Sequence, residues 1–224
     1  MRVLLIIEDL PNHGNIEDFG NPNTLSGFHM KRSMGAKSLV YPNPVFVIGS
    51  YDEKGEANVM TAAWAGICCS KPPAIAVALR KATYTYGNIT NRKAFTVNVP
   101  SEDMVVEADY FGLTTGRDED KLAAVGFTAV RSKLVDAPYI DECPMVLECR
   151  LVHTVEVGLH TQFIGEIMDV KIEEDALDKN GVGIMSKVKP FIYCADDHNY
   201  YRIGGMLAKG FTVGKTVKGK KRKV

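Results

Sequence analysis

The 224-residue sequence lacks the motifs of several common protein classes. It has no Cys-x-x-Cys pair, which excludes thiol-redox and zinc-ribbon sites of that type, and its five cysteines show no paired spacing. It has neither Gly-x-Gly-x-x-Gly after a strand nor Gly-x-x-x-x-Gly-Lys-Ser/Thr, so nucleotide binding by those two loops is excluded. The thiols are therefore expected to be buried small hydrophobes in a reducing, cytoplasmic protein.

Net charge is also lacking, because 27 Lys and Arg balance 27 Asp and Glu. A neutral chain does not offer a generally basic surface, so we expect no nucleic-acid partner for the domain. The exception is the basic tail, residues 215–224. Two interpretations stay open for it: a solvated, solubilising end, or a polybasic contact with nucleic acid, acidic lipid or an acidic protein.

The chain has no apolar segment that predicts a membrane span or a signal peptide. The run Val3 to Ile7 is far too short to cross a bilayer, and no small-residue cleavage site follows it. Pro11 to His29 is rich in Asn, Gly and Pro, whereas Met30 reads like a natural beginning. We expect residues 1–29 to lie outside the fold, as an over-called start or a disordered arm, and residues 30–214 to form one domain.

Apolar patterning predicts a mainly β protein with short helices. The predicted strands are Pro44 to Tyr51, Ala57 to Ala63, Ala74 to Leu79, Ala94 to Val99, Met145 to Glu156, Gln162 to Ile172 and Val188 to Cys194. The predicted helices are Thr83 to Arg92, Ser101 to Phe111 and Asp118 to Val125. Because these strands do not alternate with long helices, an antiparallel barrel plugged by short helices is favoured over a doubly wound sheet.

Small residues end the second strand, at Met60-Thr-Ala-Ala-Trp64. Side chains of this size allow a planar ligand to approach the backbone, whose N–H and C=O groups can then bind its edge. Trp64, the single tryptophan, is either a core aromatic or a wall of that site.

Cationic and hydroxyl residues follow the central strand. Arg80 and Lys81 end it, and Thr83 and Thr85 stand near the start of the next helix. Amides of a helix N-terminus, hydroxyls and a guanidinium together suit a phosphate dianion. The alternative is an exposed cation beside a threonine that caps the helix.

No catalytic residue stands out beyond one candidate, His160, which lies in a strand connection and could equally be a surface histidine. His198 neighbours Asp196 and Asp197, but three consecutive residues point to different sides of the chain, so no metal site is expected. No carboxylate pair is singled out for hydrolysis.

Five motifs follow one another along the chain. They are Asn58 to Ser70, Pro72-Pro73 with Leu79 to Ile89, Ala94 to Ser101, Glu107 to Gly112 and Leu159 to Glu166. In this order and spacing they resemble the flavoredoxin branch of the flavin reductase-like, FMN-binding split-barrel family. The resemblance implies a Greek-key split β-barrel that binds FMN non-covalently and forms a homodimer, with the flavin near the subunit interface.

The resemblance also implies which residues contact FMN. Those expected along the isoalloxazine are Asn58, Thr61, Ala62, Ala63 and Trp64. Leu79 and Arg80 are expected toward the ribityl chain, and Thr83 and Thr85 at the phosphate or at the open face of the ring. Asn98 and Val99 are expected to contact the flavin through their backbone, and Lys121 to lie at the phosphate end. His160 is expected at the flavin edge, and Tyr193 is expected to cover the site. Wider flavin reductases often carry Gly-Asp-His where this chain has Leu159 before the histidine, which removes a carboxylate there.

Three hypotheses of function follow. In the first, bound flavin takes hydride from NAD(P)H, or electrons from a ferredoxin-like protein donor, and passes them to an acceptor. In the second, the protein is a ferredoxin-linked electron carrier without NAD(P)H activity. In the third, the same barrel binds another ligand and has no redox role.

Overall fold

The structure is a computed structural model that describes residues 30–219. The predictions for residues 1–29 and for the last five residues of the basic tail lie outside the described residues. A compact unit begins at Ser38. Within it strands predominate and helices are short, which confirms the predicted fold class.

Residues 30–219 contain twelve strands and four α-helices. The strands are β1 (Asn43–Pro44), β2 (Phe46–Tyr51), β3 (Ala57–Ala62), β4 (Ala65–Ser70), β5 (Pro73–Arg80), β6 (Ala94–Val99), β7 (Ala129–Arg131), β8 (Pro138–Ile140), β9 (Met145–Val157), β10 (His160–Ile172), β11 (Phe191–Cys194) and β12 (Asn199–Arg202). The helices are α1 (Tyr84–Arg92), α2 (Val105–Leu113), α3 (Lys121–Val125) and α4 (Met185–Val188). Shorter 3₁₀ segments cover Glu102–Met104, Glu174–Ala176 and Val213–Gly219.

The central feature is a seven-stranded antiparallel sheet in the order β3-β2-β6-β9-β10-β5-β4. Its two edge strands, β3 and β4, are consecutive in the chain and joined by Ala63 and Trp64 alone. A two-residue connection spans only about 10 Å, so the sheet must curl until its edges approach each other. In the described residues no ladder joins β3 to β4, so the barrel is left open along that seam.

A hydrophobic core lies on each face of the curled sheet, while parts of β9 and β10 stay exposed. One core lies inside the curl and includes Ile48, Phe95 and Phe163, while the other lies under α2 and α3 and includes Val47 and Phe111. Ile48 and Val47 are neighbours on β2 and serve opposite cores, because side chains alternate along a strand. This double burial explains why Phe46, Val47 and Ile48 are apolar in succession rather than alternating with polar residues.

Several predicted elements are confirmed. The hairpin turn between β2 and β3 is closed by Gly55 at a φ of 85°. The central strand β5 is buried along most of its length, and β9 and β10 are the two long paired strands. Helix α1 begins one residue after Thr83, as predicted, but the Thr83 side chain makes no capping hydrogen bond.

Other boundaries differ from prediction for local reasons. The helix predicted from Asp118 begins at Lys121, because the Asp120 side chain accepts a hydrogen bond from the Ala123 amide and caps the helix there. The strand predicted from Val188 begins at Phe191, since α4 ends at Val188 and Lys189 turns into the left-handed region. That strand is not the last, because β12 pairs with it.

Strand β4 and the hairpin of β7 and β8 have no clear local signal in the sequence and were not predicted. The hairpin is held by buried polar side chains of β6. The Asn98 amide donates to the carbonyl oxygen of Val47 at 2.8 Å and accepts from the amide of Ile140 at 2.9 Å, and the Thr96 hydroxyl donates to the carbonyl oxygen of Pro138. Because these partners are distant in sequence, local pattern does not report them.

A buried ion pair joins β9 to β10. The Glu148 side chain is fully buried, and its single cationic partner in the described residues is Lys171, which also contacts Asp169 at 2.7 Å. A carboxylate in this position is costly unless a cation compensates it. Lys171 is therefore expected to contribute more to the free energy of unfolding than an ordinary surface lysine.

Substituting Lys171→Met should destabilise the protein by about 3 kcal/mol, because it leaves Glu148 buried without its counter-ion. The matched control is Lys189→Met, which breaks an exposed pair with Asp103 and should cost less than about 1 kcal/mol. Urea unfolding of both variants measures the difference. Equal midpoints for the two variants would contradict the role assigned to the Glu148 pair.

Candidate functional site

One corner of the sheet gathers residues from β5, from β10 and from the connection between β3 and β4. The Ala78 amide donates to the carbonyl oxygen of Trp64 at 2.9 Å, which ties the seam connection to β5. On the other side of β5, Arg80 lies directly opposite His160 of β10. Trp64, Arg80 and His160 are therefore neighbours at one edge of the sheet, although they are distant in sequence.

A buried hydrogen bond fixes the start of α1. Asn58 on β3 donates through its side-chain amide to the Thr85 hydroxyl at 2.8 Å, and both side chains are buried. The Asn58 Oδ1 atom is also buried and has no partner. The Thr83 hydroxyl donates back to the carbonyl oxygen of Arg80 at 2.8 Å, so no side chain caps the first amides of α1. These amides are available to an anion.

Beside this contact lies a cavity of about 690 Å³. Its lining comes from the turn before β3, from β3 itself, from the start of α1 and from the loop before α3. It includes Asn58 and Lys121 from the predicted set, together with Tyr84, Gly116 and Arg117, which the sequence did not single out. The volume is in the usual range of about 300 to 1,000 Å³ for small-molecule sites.

Lys121 is buried at the wall of this cavity. Its ammonium donates to the carbonyl oxygens of Phe111 at 3.1 Å and Thr114 at 3.3 Å, at the carboxyl end of α2. Burial lowers the pKa of Lys121 to about 8. The residue therefore stabilises a helix terminus and also places a poorly solvated amine next to the cavity.

Arg117 is held close to the first turn of α1. Its guanidinium donates to the carbonyl oxygen of Ala82 at 3.2 Å and lies 5.1 Å from the centre of the Tyr84 ring. The Tyr84 hydroxyl in turn donates to Asp52 at 3.0 Å. A Gly-Arg turn between two short helices was the available sequence signal for this residue, but only the fold shows what it faces.

The carboxylates around the cavity have their own partners. Asp52 accepts from Tyr84 and from the amides of Lys54 and Glu56, and these hydrogen bonds hold its pKa below the ordinary value against the opposing effect of burial. Glu119 accepts from the Tyr110 hydroxyl, and Asp120 caps α3. The two cations therefore line the cavity, and neither forms an ion pair with an acidic side chain of the described residues.

The remaining predicted residues are more dispersed. Ala62, Leu79 and Val99 belong to the inner core, and the Thr61 hydroxyl bonds the carbonyl oxygen of Ala108. The Asn98 side chain makes the hydrogen bonds with Val47 and Ile140 described above, which hold the hairpin of β7 and β8. Tyr193 lies on β11, where its hydroxyl is 2.9 Å from His198 Nδ1.

The structure therefore brings the predicted residues together in two groups. Trp64, Arg80 and His160 meet at the sheet corner, with Thr61, Ala62 and Ala63 preceding Trp64 along the chain. Asn58, Thr85 and Lys121 meet near the cavity, which Ala62, Trp64, Arg80 and Thr85 do not line.

Two further findings concern residues 30–219 only. No cluster of three or more His, Cys, Asp or Glu side chains is arranged to hold a metal ion there. None of the helices in this range combines the length and hydrophobicity needed to cross a bilayer.

Comparisons with known proteins identify the family and the fold. A family model described as a flavin reductase like domain matches residues 37–202. The solved structure of flavoredoxin of Desulfovibrio vulgaris (Miyazaki F) is similar at 52% identity and a TM-score of 0.80, covering 83% of this chain and 100% of that one. Flavoredoxin from Methanosarcina acetivorans is similar at 32% identity and a TM-score of 0.77, covering 85% and 100%. An uncharacterized protein of Archaeoglobus fulgidus is 38% identical over 131 residues, which is 58% of this chain and 73% of the relative.

Gly116→Ala should damage the cavity, because a Cβ at this position would lie 2.1 Å from Asn58 Oδ1 and 3.1 Å from the Tyr84 ring. Overpacking of this kind costs about 1–3 kcal/mol. Gly87→Ala in α1 is the control, since nothing lies within 4 Å of its Cβ and alanine favours a helix. Urea unfolding compares the two, and a Gly116→Ala protein as stable as the wild type would contradict the close contact.

Proposed function

Since the chain belongs to the flavin reductase-like family, we propose that it binds FMN and carries electrons between NAD(P)H or a protein donor and a downstream acceptor. The observation that carries this proposal is the buried, unpartnered Oδ1 of Asn58, beside a cavity with two cations and an uncapped helix start. A buried acceptor without a donor is costly, and a bound ligand that supplies one removes the cost.

The residues present fit a flavin mononucleotide. The phosphate would be held by the first amides of α1 with Arg117, Lys121 and Thr83, which combine a helix N-terminus with charge-assisted donors. The monophosphate of FMN suits this set of donors. Within the family, FMN is therefore the form of flavin that we assign to the site.

The ring would lie toward the sheet corner. The small side chains from Thr61 to Ala63 leave backbone groups accessible to its polar edge, and Trp64 forms a wall that excludes water. We also propose that the backbone of Asn98 and Val99, on β6, contacts the flavin and that the Tyr193 side chain covers it.

When bound, the flavin supplies two-electron chemistry, and the protein supplies position and electrostatics. Arg80 places positive charge at the corner, which favours an anionic ring edge. His160, opposite Arg80, is the side chain placed to hold a proton there.

A homodimer is part of this proposal. The ladder places Val155 and Val157 on the same face as Arg80 and His160, opposite the face that carries the buried Phe163. Val155 and Val157 are 44% and 58% exposed. Pairing two such faces would bury this apolar surface and place the sheet corner near a subunit interface.

The rival function is an electron carrier that accepts electrons only from a ferredoxin-like protein. The absence of any dinucleotide fingerprint favours it slightly, although a nicotinamide stacked on flavin needs no such fold. The two functions differ in whether NADH or NADPH alone reduces the protein.

The purified protein is expected to be yellow, or to become so with added FMN, with flavin absorption bands that bleach under anaerobic NADH or NADPH. Bleaching only with reduced ferredoxin would support the carrier function.

Arg117→Ala should weaken FMN uptake by at least about tenfold, since a charge-assisted contact contributes about 1.5–3 kcal/mol. The control is Arg131→Ala, because the Arg131 side chain is exposed and does not line the cavity. A colourless wild-type protein that takes up no FMN would reject the proposal.

FMN affinity should depend on pH through Lys121, whose pKa is lowered to about 8 in the free protein. The phosphate binds the protonated amine, so affinity should fall by up to about tenfold per pH unit above pH 8. Fluorescence titrations between pH 6.5 and 9.5 measure this. Riboflavin, which lacks the phosphate, is the ligand control, and Lys121→Met should bind FMN more weakly with a flat profile. Parallel profiles for FMN and riboflavin would contradict a phosphate at Lys121.

A further inference from the structure

After β12 the chain continues as a segment that contacts little of the compact unit, residues 203–217, here called the C-terminal arm. Every described side chain of the arm is exposed. Met206 is 89% exposed, and Leu207 and Phe211 are entirely so. The backbone hydrogen bonds from Val213 and Lys215 go to carbonyl oxygens within the arm. Large apolar side chains in this state gain free energy when a partner buries them.

Charge indicates which partner fits. Residues 203–224 carry seven Lys and Arg and no Asp or Glu, so residues 1–202 carry 20 basic and 27 acidic side chains. The arm with its tail is therefore strongly positive, and the rest of the same chain is negative by an equal amount. A second copy of this chain presents the opposite charge to the arm, together with the uncovered apolar strands β9 and β10.

The arm is also long enough to cross a neighbouring subunit. Eleven extended residues, from 203 to 213, span about 35 Å. A domain of about 190 residues has a radius of gyration of about 16 Å. Residue 211, nine residues beyond the end of β12, can therefore lie as far as about 30 Å from that strand, which is almost twice that radius and enough to reach a neighbouring subunit.

We propose that the C-terminal arm is exchanged between two copies of the chain. Met206, Leu207 and Phe211 pack on the partner's body, and Lys209 and Lys215 face acidic residues of the partner. The inference rests on the homodimer of the proposed function, and it adds the segment that holds the dimer together. An anionic membrane is the other surface that suits apolar and basic residues together, and the test separates the two.

Sedimentation velocity of the full chain against the Leu207→Ser/Phe211→Ser double variant tests the proposal. Both side chains are exposed in the single chain, so the substitutions leave its core intact. The dimer dissociation constant should rise at least 100-fold in the variant, and 1 M NaCl should weaken the full-chain dimer. The matched control is Val182→Ser/Met185→Ser, an exposed apolar pair outside the arm, which should leave the dimer unchanged.

A photo-crosslinking residue at position 207 provides a second measurement and should yield crosslinks between subunits. An arm variant that dimerises as tightly as the full chain overturns the exchange while leaving the homodimer in place. A full chain that is monomeric at 100 μM overturns both, whereas its absorption spectrum with FMN reports separately on flavin binding. Arm-dependent binding to phosphatidylserine vesicles by a monomer overturns the proposal in favour of a membrane surface.

Discussion

The structure depends on one constraint, the two-residue connection between the edge strands of the large sheet. Ala63 and Trp64 join strands that stand six positions apart in the sheet order, so the sheet has to curl. The curl creates an inner core, brings β5 and β10 to the same corner as the connection, and leaves an outer face with exposed valines. Fold, candidate site and proposed interface are therefore consequences of the same short link.

Much of the fold could be predicted from the sequence, because the long strands and the Gly55 turn have local signals. The elements that were missed lack such signals. Strand β4 contains small residues, Ile67 and two cysteines, and it is a strand because β5 offers it a ladder. Its cysteines, Cys68 and Cys69, are exposed, so the prediction of buried thiols holds only for Cys143, Cys149 and Cys194. The hairpin of β7 and β8 depends on Asn98 and Thr96, which lie about forty residues away along the chain. Tertiary contacts override propensity in both places.

The candidate site was predictable only in part. The pattern of Arg80, Thr83 and Thr85 indicated an anion near a helix start, and the helix begins there. Arg117 could not be found this way, since its place beside Tyr84 depends on how the loop after α2 folds back. Lys121 shows the opposite difficulty. A lysine is normally expected at the surface, and its burial follows from carbonyl oxygens at the end of α2 that sequence alone does not locate.

The open seam between β3 and β4 has a consequence for how a ligand could come and go. In a fully closed barrel, separating two neighbouring strands breaks the backbone hydrogen bonds between them, and each opening costs the free energy of those bonds. Along this seam the described strands β3 and β4 share no backbone hydrogen bonds, so a local fluctuation that separates them breaks side-chain contacts but no ladder. Local fluctuation rather than unfolding is then enough for exchange at the corner, and the lifetime of a bound molecule is set by its own contacts instead of by the stability of the barrel.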